Sequence, residues 1–352
     1  MDLQSLYTQI NQIILSLDFD SFWPGFRPLK FALYNENECF FDGRYIEKTD
    51  EFCANTSILF HGEQIAIWMV QEETDLCILT SKIVHEMFHG YQRNKGWDCW
   101  PNELDALYHY KYDAENLALK LRENALMLEL LDRIEEPDPA VLNELIALKK
   151  QRSLKFPYEF DYESKVEEIE GTANYVEWQV LRDLNDTKGD ELTQHMRAVL
   201  TKPEFLFPVR ISCYYTGALM VIALRSAKQY SFFPAERPSI FTVLKDAAPS
   251  DGNYLSKDIY RAAASRAVDS FNDETAEIIR SALDGGNVVL RGPFELTGVN
   301  YYNARCYNGF ITTTYFLMYR DGQEDKFLQG NFVIKMRDEK TIDTVYVWNI
   351  KE

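Results

Sequence analysis

The sequence predicts an α+β chain: a small N-terminal sheet packed on a mainly helical domain, followed by a small C-terminal β domain. Three changes of texture predict it. From Arg27 to Val70 short β-prone runs alternate with Gly and Asn turns, and from about residue 76 to 284 the pattern is mainly helical. After Gly285-Gly286 short β-prone runs return. These changes set expected boundaries at 1–75, 76–284 and 285–352.

Taken in order, residues 4–17 place Leu6, Ile10, Ile13, Ile14 and Leu17 at helical spacing. Leu29–Tyr34, Ser57–Phe60 and Ile65–Val70 read as strands, the last two joined by a hairpin at His61-Gly62-Glu63-Gln64. Asn102 is an expected N-cap, with Pro101 before it and Glu103 and Asp105 in the first turn. The helical stretch it opens runs to about Glu135, with a break near Asp113. Asp138 caps the next helix and Pro139 takes its first position. Further helices are expected over about 160–184, 189–200, 209–228 and 271–284. The runs Glu135-Glu136 and Lys149-Lys150 read as solvated faces. In the last segment, residues 288–290, 294–296, 304–307, 310–319, 327–335 and 344–348 read as strands. Asn308-Gly309 and Asp321-Gly322 supply hairpin turns.

Composition narrows the function classes. With 46% hydrophobic and 14% aromatic residues the chain is expected to be globular, and a formal charge of −18 argues against nucleic acid and anionic membranes as partners. No apolar run approaches the roughly 20 residues that span a bilayer. The acidic, polar N-terminus lacks a signal-peptide pattern, and six singly spread cysteines (39, 53, 77, 99, 213, 306) read as reduced thiols; together they predict a cytoplasmic protein.

The segment His85-Glu86-Met87-Phe88-His89 carries the chemistry. On a helix, residues at i and i+4 share a face, so both imidazoles can reach one zinc ion. Glu86 then sits where a general base is needed to take a proton from an attacking water. Ile83, Val84, Met87, Phe88 and Tyr91 make the segment apolar, as a buried helix requires, and two of the five histidines fall in it. A catalytic zinc takes three protein ligands, so one carboxylate is missing. Glu170 is the stronger candidate, bordering a helical stripe of Tyr162, Val166, Ile169, Ala173, Val176 and Val180. Gly171 beside it suggests a close backbone approach, and Asn174 one turn on could hold a ligating histidine. The competing account puts Glu163, Glu167, Glu170, Asn174 and Glu177 on one solvated face. Glu103 and Glu167 are the rival ligands, although Glu103 is also explained by its place in a helix first turn.

The two stretches together, His85-Glu86-Met87-Phe88-His89 and Glu170-Gly171-Thr172-Ala173-Asn174-Tyr175-Val176-Glu177, resemble the gluzincin zinc peptidases. The second motif is most similar to that of the aminopeptidase-N-like enzymes. The resemblance implies a zincin-like catalytic domain in which a strand such as Ile65–Val70 leads into the histidine helix. It also implies one zinc per chain on His85, His89 and Glu170, with Glu86 as general base and proton shuttle. A Tyr or His from a later helix would stabilise the oxyanion, and Tyr214 or Tyr215 is the expected residue; His61, His109 and His195 are expected to be structural or exposed. Residues 90–169 make the interval between the motifs far longer than in those relatives, so an inserted helical hairpin is expected. The Gly-x-Met-Glu-Asn stretch that holds a substrate amino terminus in the aminopeptidase-N-like enzymes is missing. The expected activity is therefore a zinc metallopeptidase acting on a peptide or small protein. The alternative is a catalytically inactive zinc-binding scaffold that uses its C-terminal β module for interaction.

Overall fold

A computed structural model describes residues 2–70, 75–228 and 258–348. It is a mixed α+β structure with a small N-terminal sheet, a body of helices and a C-terminal antiparallel sheet. Helix α1 (Leu3–Ser16) is capped by Asp2 and buries Leu3, Leu6, Ile10 and Ile14; the short α2 (Phe19–Phe22) follows. Strands β1 (Phe31–Tyr34), β2 (Cys39–Phe41), β3 (Arg44–Ile46), β4 (Thr56–Phe60) and β5 (Glu63–Met69) form a sheet in the order β3-β2-β1-β5-β4. The β1–β5 pairing is parallel and the others are antiparallel. His61-Gly62 turns the β4–β5 hairpin with positive φ at both residues (50° and 84°), the conformation such two-residue turns require. Strands β2 and β3 have no counterpart among the expected strands, being only three residues each.

Asp75 caps α3 (Leu76–Asn94), its carboxylate accepting from the Cys77 and Ile78 amides at 3.0 and 3.2 Å. The helix packs on β5 and β4 and buries Ile83, Val84, Met87 and Phe88 in the main core. Asn102 caps α4 (Glu103–His109) and Asp113 caps α5 (Ala114–Leu131), so the expected break at 113 is a new helix start. Asp138 and Pro139 open α6 (Pro139–Lys155). Helices α5 and α6 pack against each other across a short connection, at the place where a helical hairpin is expected.

Helix α7 (Pro157–Val166) runs through a π-helical turn (Glu167–Gly171) straight into α8 (Thr172–Leu184). The wide turn is where Gly171 meets Gly217 of α10 (Val209–Ser226); a Cβ on Gly171 would lie 2.5 Å from the Gly217 Cα. Between them lie α9 (Asp186–Thr201) and a 3₁₀ turn (Pro203–Leu206). Helix α11 (Asp258–Gly285) starts well before residue 271 and packs on α5 and on the C-terminal sheet.

That sheet is built from β6 (Val288–Val299), β7 (Arg305–Tyr307), β8 (Phe310–Thr313), β9 (Phe316–Asp321), β10 (Glu324–Gln329), β11 (Phe332–Met336) and β12 (Thr341–Val347). Its order is β10-β9-β6-β12-β11-β8-β7. Residues 288–296 fall in one long strand where two are expected, and 310–319 divides into β8 and β9. Leu104, Leu107 and Tyr108 of α4 pack against its core, fastening the sheet to the helical body. No helix among the described residues is long and apolar enough to cross a membrane.

Candidate metal centre

The π turn sorts the acidic residues of its helix. In a continuous α-helix residues seven apart share a face, so Glu163 and Glu170 would point the same way. The extra residue in the π turn rotates the rest of the helix by about one position. Glu163 and Glu167 consequently face the interior, while Glu170 and Glu177 face α3.

Glu163 pairs with Lys120 at 2.8 Å and also with Arg152. Glu167 pairs with Lys149 at 2.9 Å and bonds the Thr216 hydroxyl at 2.5 Å. With Glu123 these form a buried cluster of three cations and three carboxylates, every member at most 3% exposed. Two expectations change here. Lys149 is interior instead of lying on a solvated face, because its partner charges arrive from other helices. Glu167, committed to Lys149, is not placed to be a ligand.

On the other face His85 Nε2, His89 Nε2 and a Glu170 carboxylate oxygen converge, all within 4.8 Å of one another. The two Nε2 atoms are 3.1 Å apart, and Glu170 Oε2 lies 3.8 and 3.3 Å from them. A tetrahedral ion with bonds of roughly 2.0–2.2 Å holds its donors about 3.3–3.5 Å apart, so the spacing suits zinc.

The tautomers follow from the groups behind the rings. Gln92 is fully buried, and its Nε2 donates to the Ile169 carbonyl at 2.9 Å and the Thr172 hydroxyl at 3.0 Å. A carbonyl can only accept, which fixes the amide's orientation and leaves Gln92 Oε1 to accept from His89 Nδ1 at 2.8 Å. His85 Nδ1 lies 3.1 Å from Glu177 Oε2, off the line of a straight hydrogen bond but at ion-pair distance. A bound cation requires protons on both Nδ1 atoms, an arrangement that would turn both Nε2 lone pairs toward Glu170. Three acceptors then share one point, which is the donor set of a divalent cation.

The charges agree. Burial works to lower the His85 pKa, but the Glu170 and Glu177 carboxylates outweigh it and push the imidazole up to about 10. Burial raises the Glu170 carboxyl, and His89, His85 and Arg210 more than offset that, holding it well below the usual range. The site therefore favours positive charge at its centre. Arg210 NH2 donates to Glu170 Oε1 at 2.7 Å, the oxygen turned from the histidines, and leaves Oε2 for a cation. Arg210 also pairs with Glu103, which accepts from Tyr162 at 2.6 Å. Glu103 thus fixes the arginine and lies outside the three-ligand cluster.

Of the three residues of the cluster, His85 borders a cleft of about 620 Å³. Its wall includes His85, Glu86, Asn174, Glu177, Tyr214, Tyr215 and His195, with apolar surface from Trp68, Ile78, Leu181, Leu192, Met196 and Ile211. Burial raises the Glu86 carboxyl above its ordinary value, with the two histidines opposing in part. Burial, then the Glu177 charge, pushes the Tyr215 phenol up to about 12, and its oxygen lies 3.0 Å from His195 Nε2. His195 is exposed, as expected, and also forms part of the cleft wall. Asn174 lines the cleft, while the support expected of it comes from Gln92 and Glu177. Gln92, Glu177 and Arg210 are the site residues the sequence did not single out. Gln92 and Glu177 carry a usable signal, standing three and seven residues after His89 and Glu170 on the same helices; Arg210 carries none. The chain matches no protein-family model, no curated protein and no solved structure among known proteins.

Proposed function

We propose that this chain is a zinc-dependent metallopeptidase with a gluzincin-like site on a zincin-like helical domain. The observation that carries the reading is the convergence of the His85 and His89 Nε2 atoms and a Glu170 carboxylate oxygen, with Gln92, Glu177 and Arg210 behind them and Glu86 in the adjoining cleft.

Bound to these three residues, zinc would polarise a scissile carbonyl and acidify a water molecule. Glu86 takes up a proton at its carboxylate, for which its raised pKa suits it, and gives it to the leaving amine. With His195 Nε2–H donating to Tyr215, the phenol proton is left to donate to a developing oxyanion; Tyr214 stands beside it on the same wall. A scaffold has no need of a free carboxylate beside the metal, so Glu86 favours turnover over the purely structural alternative.

The test is zinc content by elemental analysis of wild type beside His89→Ala, followed by cleavage of a peptide library by wild type and Glu86→Gln. About one zinc per chain, lost in His89→Ala, with cleavage abolished in Glu86→Gln, supports the reading. Zinc binding without cleavage of any peptide leaves the scaffold. No zinc uptake rejects both.

A further inference from the structure

The turn between β6 and β7 brings one side chain of the C-terminal sheet to the metal cleft. Asn300 N donates to Thr313 Oγ1 at 3.1 Å, Ala304 N donates to the Asn300 carbonyl at 2.9 Å, and Asn303 is bonded to Thr314. Tyr302, held at the centre of this pinned turn, lines the cleft with His85, Glu86 and Tyr214. Its oxygen lies 3.0 Å from that of Tyr214.

A count of protons shows which donor the pair has to offer. Arg210 NH2 donates into the Tyr214 oxygen at 2.8 Å, and its guanidinium is itself fixed by Glu170 and Glu103. Tyr214 is half-buried and its phenol stays protonated, desolvation raising its pKa well above the ordinary value. Two phenols that share one hydrogen bond use one of their two protons. Either phenol can donate across this contact, but an oxygen that already accepts from the Arg210 cation is the poorer acceptor and the stronger O–H donor, which favours Tyr214 O–H donating to Tyr302 and leaves the Tyr302 proton over. A chain of this kind headed by a cation polarises each successive O–H and strengthens the last donor. Tyr302 is 55% exposed, so this last O–H faces the open cleft.

We propose that Tyr302 is a substrate-binding residue that donates this hydrogen bond to a backbone carbonyl oxygen of the peptide, which makes the C-terminal sheet part of the active cleft. The proposal rests on the metallopeptidase reading and gives that site a contact supplied by a different part of the chain. It also separates two roles for the neighbouring tyrosines: Tyr215 faces the reacting carbonyl, and Tyr302 a carbonyl further along the bound chain.

Tyr302→Phe keeps the ring and removes only the donor. The test measures calorimetric affinity of the zinc-loaded full chain for two probes. Acetohydroxamate reaches the metal and Glu86 alone, whereas a Phe-Leu dipeptide hydroxamate extends along the cleft. Tyr302→Phe is expected to weaken the dipeptide probe about threefold to tenfold, the worth of one hydrogen bond, and to leave acetohydroxamate unchanged. Tyr315→Phe, on an exposed tyrosine of the same module, should change neither. Wild-type affinity for both probes in Tyr302→Phe, or an equal loss for both, overturns the proposal and leaves Tyr302 as packing between modules. A zinc-loaded wild type that prefers neither probe refutes the peptide-binding cleft and this contact with it. A wild type that takes up no zinc refutes the metal reading first.

Discussion

Glu177 Oε2 stands 3.1 Å from His85 Nδ1, on the far side of the ring from Glu170. Two carboxylates seven residues apart therefore bracket one imidazole, one as its proposed fellow ligand and the other as its support. The supporting carboxylate keeps the proton on Nδ1 and makes Nε2 a better donor to a cation. Glu177→Ala should weaken zinc binding about 10- to 100-fold in a competition titration with a chromophoric chelator. Glu177→Gln, which can still accept from Nδ1, should lose less. Equal losses in the two variants would mean that the side chain only fills space.

The close approach of Gly171 to Gly217 sets the position of the π turn. A Cβ added at Gly171 would meet backbone, the Gly217 Cα at 2.5 Å and its carbonyl carbon at 2.9 Å, and backbone cannot swing aside as a long side chain can. Gly171→Ala should cost about 1–3 kcal/mol or more of stability, by the general penalty for overpacking, and should reduce zinc affinity as Glu170 shifts with the turn. Thermal unfolding and zinc titration measure the two effects separately. A variant with the stability of wild type and full zinc affinity would show that α10 can move away at no cost.

Parts of this site are written locally in the sequence, and parts depend on helices that meet only in the fold. His85, Glu86 and His89 lie within five residues of one helix, so their common face is visible in the spacing alone. Gly171 marks its contact because a glycine inside a helix is costly unless something needs the space. The π turn leaves no such mark. A stripe counted at α-helical spacing puts Glu163, Glu167, Glu170, Asn174 and Glu177 together, and only the inserted residue divides them between a buried ion cluster and the metal face. Lys149 reads as solvated next to Lys150 because Glu167 and Glu123 reach it from other helices. Tyr302 meets Tyr214 from 88 residues away, across two modules, and no local pattern encodes that. The strands of the C-terminal sheet were visible as runs and turns, but their order was not, since it is fixed by pairings such as β6 with β12 and β9.

The buried ion cluster should give the protein a definite acid response. Burial alone would raise the Glu163 carboxyl, but Arg152 and Lys120 outweigh it and hold the pKa down at about 2, against an ordinary value of 4.5. A carboxylate depressed by folding contributes stability that is fully present above the unfolded pKa and is lost as pH falls through the folded one. For Glu163 the window runs from about pH 4.5 down to about pH 2, and a shift of this size corresponds to on the order of 3 kcal/mol. Urea unfolding should be followed across that window in the presence of a chelator, so that metal release adds nothing to the slope. Wild type should lose stability steadily through it. Glu163→Gln should be less stable at pH 7, because Lys120 and Arg152 are left buried with one charge uncompensated, and its stability should fall less between pH 4.5 and 2. Parallel acid limbs in the two proteins would place the proton uptake elsewhere in the fold.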